Sequence, residues 1–428
     1  MPIEGPVLLY GAGREGRSTR KFIAEILPGA EVDVVIDKGV ADIDGTTQIH
    51  IAELPSLLRN GRYKTIVRSP GVSIYKTELV LARELGVNIT TNVNLWGEYK
   101  RGDRRVIAIT GTKGKSTTTK LIWTMLKAAG IDAGLAGNIG VPLLDAELHD
   151  VMVLELSSFQ CSDLTLNPDF IGITSLFPEH IDWHQSAENY FRDKLNLFRR
   201  TKPYQAAITL QVANHPALPQ PNNDYVHRLP ELDPGLVLRM SEAASQSQLI
   251  GAHNFENAKL AARIAMGAGA DETAILEGIR TFEPLRHRLQ RVSVGAKSFV
   301  NDSIATNPEA TKAAINSFPG GKVHVIIGGY DRGQDYDDLS RFLTHADVAA
   351  VWFLPDTGHR IAKCLEGASL PFDLHLPENL EQVFAELSKA PDSFDTLILS
   401  PGAPSYNQFD NFEQRGDRFL EFAEKYFG

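Results

Sequence analysis

The chain has 428 residues, 43% hydrophobic and 22% charged, with a formal net charge of -10. At roughly 100–200 residues per domain this is a globular protein of about two to four domains, which excludes a disordered or fibrous chain. The acidic balance disfavours nonspecific nucleic-acid binding and still allows a local basic pocket for an anionic ligand. At the N-terminus, MPIEGPVLLYGAG lacks a basic region followed by a long apolar run, so it does not read as a signal peptide. Nor does any run of about 18 apolar residues point to a membrane span. Two cysteines, Cys161 and Cys364, are too few for a disulfide framework and lack metal-site spacing. Reduced thiols and a cytoplasmic location are the expectation.

Short apolar runs alternate with helical patterns, the rhythm of parallel sheets covered by helices. Val7–Tyr10 is the first expected strand, with a helix over Gly16–Leu27 and further strands at Val32–Ile36 and Thr65–Arg68. Between strand and helix lies Gly11-Ala12-Gly13-Arg14-Glu15-Gly16, and Asp37 ends the second strand. Such a turn offers backbone N–H groups to a phosphate. It reads as a dinucleotide site, as a tight strand-to-helix turn, or as the holder of a substrate's nucleotide part.

After a charged linker, Tyr99–Arg105, a second unit opens at the strand Val106–Thr110. It runs into Gly111-Thr112-Lys113-Gly114-Lys115-Ser116-Thr117, a variant phosphate loop with Ile109 where the strict motif has glycine. Glycines let the loop wrap phosphates, Lys115 reaches the outer phosphates as a point charge, and Ser116 or Thr117 can ligate magnesium. Further strands are expected at Val151–Leu156 and Phe170–Ser175. Glu155 sits inside the first of them, where a carboxylate is costly unless paired or metal-bound. Glu179, His180, Asp182 and His184 crowd the loop after the second. Lys194 lies on a helical pattern and by itself reads as a solvated lysine. Pro219–Gln248 is rich in Pro, Asp, Asn and Gln and is expected to be irregular or edge strand, whereas Asn254–Gly269 is a helix with Asn257, Leu260, Ala261 and Ile264 at helical spacing.

A third unit begins near Leu289, with strands at Ser298–Val300, Val323–Ile327, Val348–Phe353 and Thr396–Leu399. Asn301–Asn307 and Gly328–Gly333 are strand-end loops rich in hydrogen-bonding groups, and the planar fork of Arg332 suits a carboxylate. Three α/β units in series are thus expected.

GTKGKSTTT, LAGNIG, ELSSFQ, EHIDWH, GAHNFENAKLAA, His287-Arg288, NDSIATNPEAT and LSPGAPSYNQFDNFEQRGDRF occur in this order over nearly the whole chain. In this combination the chain resembles the Mur ligases. The resemblance implies a Rossmann-like N-terminal domain (1–98) for a UDP-sugar, a P-loop-type central domain (99–288) for ATP, and a Rossmann-like C-terminal domain (289–428) for glutamate. The activity it implies is ATP-dependent addition of glutamate, the D-isomer favoured, to UDP-N-acetylmuramoyl-L-alanine through an acyl phosphate. ATP and magnesium are the implied cofactors, the partners are small molecules with no nucleic acid, and the protein is a monomer. Gly11, Gly13, Asp37 and Asn138 are implied at the UDP-sugar. Gly111 to Thr117, Asn254, Arg288 and Asp302 are implied at ATP. Ser116, Glu155, His180 and a carbamylated Lys194 are implied at metal, with Lys115, His180 and Lys194 catalytic. Thr306, Arg332, Ser405 and Phe412 are implied at glutamate. Departures from the family pattern are Lys113 for Asn, Ile304 for Lys, and Pro-Gly-Ala-Pro after Ser400; the EHIDWH loop also resembles a relative that adds L-glutamate. A folylpolyglutamate-type ligase, an NAD-dependent dehydrogenase and a non-enzymatic nucleotide-binding regulator are the competing readings.

Overall fold

The computed structural model describes residues 3–37, 41, 43–138, 141–199, 203–218, 226–318 and 320–428. Three sheets follow one another along the chain. The first holds β1 (Val7–Tyr10), β2 (Val32–Ile36), β3 (Thr47–His50), β4 (Thr65–Arg68) and β5 (Asn88–Thr90) in the order β3-β2-β1-β4-β5, all parallel. The chain leaves β1 toward one edge and returns at β4 on the other side. The strand order therefore reverses between β1 and β4, where open α/β sheets place ligands. The glycine turn after β1 and the Ser69–Val72 turn after β4 both lie at that point, and Ser69 Oγ donates to the Gly11 carbonyl at 3.2 Å.

The second sheet has β6 (Arg105–Thr110), β7 (Ala133–Gly137), β8 (Val151–Glu155), β9 (Phe170–Ile173), β10 (Tyr204–Ile208) and β11 (Val226–Arg228). Its order is β11-β10-β9-β6-β8-β7, again all parallel. The central strands are buried on both faces, as their unbroken apolar runs require. The third sheet, order β12-β13-β17-β14-β15-β16, combines β12 (Gln290–Val294), β13 (Lys297–Asn301), β14 (Val323–Ile327), β15 (Ala350–Phe353), β16 (Asp373–His375) and β17 (Thr396–Leu399). Among its described strands only the edge strand β12 runs antiparallel, to β13.

The chain forms two compact units, Met1–Ala243 with Glu256–Thr281, and Ala244–Phe255 with Phe282–Gly428. Within the first, one apolar cluster runs from Val7, Leu9 and Phe22 through Trp96 to Val106, Met152 and Ile171, so the first two sheets share a core. Beside it, Arg68 at the end of β4 is a buried guanidinium. It forms a bidentate pair with Asp163 (2.8 and 2.7 Å) and donates to the carbonyls of Ser69, Val72 and Phe159.

One expectation holds only in part. Residues 219–225 lie outside the described set, but the rest of the Pro219–Gln248 segment is an edge strand, β11, followed by a full helix at Pro234–Ser245. Pro234 suits a first helical position, Asp233 Oδ1 accepts from Leu236 N at 3.1 Å, and Leu236, Met240 and Ala243 are buried along one face. Composition suggested irregularity; the cap and the period outweigh it. The later helix forms at Ala252–Gly267 with Asn257, Leu260, Ala261 and Ile264 all buried.

Candidate active site

The loop between β6 and the helix Lys115–Ala128 is built to be narrow. A Cβ on Gly111 would lie 1.9 Å from Thr174 Oγ1, and one on Gly114, which has φ +85°, would lie 2.5 Å from Asn257 Oδ1. Thr112 N donates to Ser175 O (2.8 Å), and Thr112 Oγ1 pairs with Tyr190 OH (2.7 Å) and accepts from Phe177 N (2.9 Å). The loop is thus pinned to the end of β9 before any ligand arrives. Lys115 Nζ donates to Thr112 O at 3.0 Å, and Ser116 is buried at the helix start.

Glu155 ends β8, which pairs with β6 so that Glu155 lies opposite Ile109. It is 1% exposed. Oε1 accepts from Asn138 Nδ2 at 2.7 Å, whereas Oε2 is buried with no hydrogen-bond partner among the described residues. A buried orphan carboxylate oxygen is expensive, and a cation would relieve it; the residues here fit a magnesium ion. No three His, Cys, Asp or Glu side chains converge as a ready cage among the described residues.

Lys194, which the family resemblance singles out and the local pattern does not, is brought to the loop by the fold. The helix Ala187–Lys194 delivers it to the loop, where it is 2% exposed and its Nζ donates to Gly111 O at 2.8 Å, 5.0 Å from the Tyr190 ring centroid. Burial, then the charge of Lys115, lowers its pKa to about 7. His180 sits nearby with φ 55°, a strained conformation for a non-glycine residue, and its ring lies 4.9 Å from that of Phe159. Burial lowers its pKa; Glu179 opposes that, while Lys194 and Lys115 add to it.

The four polar residues of the 179–184 loop do not all turn to one place. Asp182 is exposed, while His184 turns wholly inward, with Nδ1 2.7 Å from Asp193 Oδ2 and Nε2 3.0 Å from Ser158 Oγ. Asp193 also accepts from Tyr75 OH, so this buried chain ties the helix that carries Lys194 to the first sheet's loops. Sequence reading missed Ser158, Asp193 and Tyr75, because nothing in their spacing signals the contact.

At the first sheet, Gly11 has φ +123° and its Cβ would lie 2.5 Å from Ser69 Cβ; Gly13 is open to solvent, and Asp37 is exposed at the end of β2. Asn138 Nδ2 donates to Glu155 Oε1. Glu15, at the start of the helix Arg14–Ile26, accepts from Gln160 Nε2 at 2.8 Å, a further contact that was not anticipated.

In the second unit, Asn254 is buried and donates to Ile250 O (2.7 Å). Arg288 keeps its Nε buried without a hydrogen-bond partner among the described residues. Asp302 accepts from Ser400 Oγ (2.9 Å) and Leu289 N (3.1 Å), and burial raises its carboxyl to about 7. Of the four residues expected at glutamate, Thr306, Arg332 and Ser405 fall on loops that follow β13, β14 and β17, and Phe412 opens the C-terminal helix Phe412–Phe427. Arg332 donates to Thr306 O at 3.2 Å, Tyr330 N donates to Pro404 O beside the buried Ser405, and Phe412 O accepts from Ser303 Oγ. Arg415, which sequence reading passed over, is fully buried beneath these loops and donates to Ser303 and Ala403.

Residues 109–219 match the Mur ligase middle domain and residues 287–402 match the Mur ligase glutamate ligase domain. A UDP-N-acetylmuramoyl-L-alanine--L-glutamate ligase of Micromonospora sp. is 34% identical over 97% of this chain and 95% of its own length. The equivalent of Xanthomonas oryzae pv. oryzae is 33% identical over 97% and 94%. A UDP-N-acetylmuramoylalanine--D-glutamate ligase of Geobacillus kaustophilus is 30% identical over 98% and 97%. Among solved structures, MurF ligase from Thermotoga maritima in complex with ADP aligns at TM-score 0.57 and 15% identity, covering 99% of this chain and 95% of that one. Its likeness bears on the fold alone. The chain belongs to the Mur ligase family.

Proposed function

We propose, with membership of the Mur ligase family as the premise, that this chain is an ATP-dependent ligase that joins glutamate to the alanyl carboxylate of UDP-N-acetylmuramoyl-L-alanine. The observation that carries this reading is the meeting of two buried groups at one glycine loop. The Lys194 amine lies on the Gly111 carbonyl, and Glu155 keeps a carboxylate oxygen without a partner among the described residues.

The reaction takes two steps. A carboxylate oxygen attacks the γ-phosphorus of ATP, the bond to the bridging oxygen breaks, and ADP leaves an acyl phosphate behind. The neutral amine of glutamate then attacks the carbonyl carbon, and phosphate departs from the tetrahedral intermediate as the amine loses its proton. Phosphoryl transfer is mostly positioning and charge neutralisation. Lys115 and the N–H groups at the helix start, Gly114 to Thr117, hold the phosphates. Magnesium, when bound, supplies positive charge against the phosphoryl oxygens; Ser116, Glu155, His180 and Lys194 would hold it. For Lys194 this requires that the ammonium first lose a proton and that the neutral amine then take up carbon dioxide and release a second, which turns a cation into an anionic ligand. Asn254, Arg288 and Asp302 are assigned to the nucleotide, and Gly11, Gly13, Asp37 and Asn138 to the UDP-sugar. Thr306, Arg332, Ser405 and Phe412 are assigned to glutamate. In this reading residues 1–98, 99–288 and 289–428 bind UDP-sugar, ATP and glutamate respectively. Catalysis takes place in the cytoplasm, where thiols such as those of Cys161 and Cys364 stay reduced.

The names of the Micromonospora and Xanthomonas relatives favour L-glutamate as the isomer. D-glutamate, favoured by the sequence motifs, is the isomer in the Geobacillus relative's name and stands as the second reading. Phosphate release from ATP with UDP-N-acetylmuramoyl-L-alanine, comparing the two isomers, is the test. We expect release with glutamate, faster with the L-isomer. Faster release with D-glutamate reverses the order of the readings, and no release with either sinks both.

A further inference from the structure

Lys113 differs from the other lysines at the loop. Its backbone is clamped at both polar atoms: N donates to Ser175 Oγ at 2.8 Å, and O accepts from Ser175 Oγ at 3.1 Å and Thr174 Oγ1 at 2.5 Å. The side chain alone can swing. It reaches Glu179 Oε1 at 2.6 Å, with 48% of the lysine side chain and 27% of the glutamate side chain exposed. The other carboxylate oxygen of Glu179 lies 3.7 Å from His180 Nε2. Burial would raise the Glu179 carboxyl, but Lys113 foremost, then His180 and Lys115, hold it below its usual range. Lys115 and Lys194 rest on loop carbonyls, those of Thr112 and Gly111; Lys113 rests on a carboxylate.

A loop shaped for phosphates concentrates positive charge, and a carboxylate within it competes with any polyphosphate for the same cation. We propose that the Lys113–Glu179 pair is an exchangeable latch. Lys113 is a second phosphate-gripping lysine beside Lys115, neutralised at rest by Glu179 and released to the polyphosphate when it enters. The proposal rests on the nucleotide reading of this loop. It requires only two partly exposed side chains to move, because the backbone on the lysine side is already fixed. It also accounts for a lysine at the position where the family pattern has asparagine.

The test is calorimetric titration of magnesium-free ATP into the full-length chain at low ionic strength. Wild type, Glu179→Gln, Lys113→Met and the double variant are compared, with thermal melts to check folding. Removing the resting counter-ion should tighten binding about twofold to fivefold in Glu179→Gln, the range of a partly exposed ion pair. Lys113→Met should weaken binding. In the Lys113→Met background the gain from Glu179→Gln should fall by at least half, because the pair no longer exists to be broken. An unchanged or weaker affinity in Glu179→Gln overturns the latch. So does an equal gain in both backgrounds, which would mean plain repulsion of the phosphates. Absence of ATP binding to wild type overturns the nucleotide reading and the latch together, whereas tight wild-type binding with an unresponsive Glu179→Gln overturns the latch alone.

Discussion

Lys194 shows how little a residue's type says without its surroundings. On the helix pattern it is one lysine among several, yet its amine is buried against a carbonyl 83 positions earlier in the chain. The family resemblance singled it out, and nothing in the local pattern did. Replacing it with Ala should lower ligase turnover at least about a hundredfold, since a misplaced or missing site group costs on that order. Short-chain carboxylic acids should restore part of the rate by supplying the missing carboxylate, and full activity without them would remove the carbamate role. Asp302 carries a different consequence. Its carboxyl is pushed up to about 7 by burial, so the folded state keeps a proton that the unfolded chain releases near pH ~4. Its contribution to stability is present below that pH and is lost as pH rises to about 7, because the folded state binds the extra proton. Asp302→Asn should therefore flatten the fall in stability between about pH 4 and pH 7, read by urea unfolding at a series of pH values. A slope equal to wild type contradicts the assignment.

Elements were legible wherever their signals are local. Val7–Tyr10, Val32–Ile36, Thr65–Arg68, Val323–Ile327 and Thr396–Leu399 are strands with the boundaries the apolar runs imply. The strands that pattern did not single out, such as Thr47–His50, Asn88–Thr90 and Asp373–His375, are short and lie at sheet edges. Edge strands are only partly buried, so their sequences lack the continuous apolar run that marks a central parallel strand. How elements attach was not legible either. Arg68 ends a central strand, and its buried guanidinium is met by Asp163 from a loop of the second sheet. Asp163→Asn would leave that charge buried with only carbonyl acceptors. It should cost about 3 kcal/mol, at the low end for a broken buried pair because those carbonyls remain. Denaturant unfolding measures this, and a loss below about 1 kcal/mol would mean that the pair contributes little to joining the first two sheets.

For the whole molecule, the family and the three sheets in series carry the functional reading, and ligand linkage tests it on the intact chain. Magnesium-ATP at about a hundred times its dissociation constant should add about 2.7 kcal/mol to the folded state and raise the unfolding midpoint; no shift at saturating nucleotide would argue against the loop as its site. The amino-acid sequence by itself determined the α/β class, the order of the sheets along the chain, the glycine loop after β6 and the carboxylate strand that follows it. Those depend on glycine spacing and apolar runs, which act within a few residues. Only the tertiary structure decided that Lys194 lies on Gly111, that His184 turns inward to Asp193 and Ser158, and that Glu179 holds Lys113. These pairings join residues on separate helices and strand-end loops, and which strand ends become neighbours is set by the order in which the sheet assembles, a property no local pattern encodes.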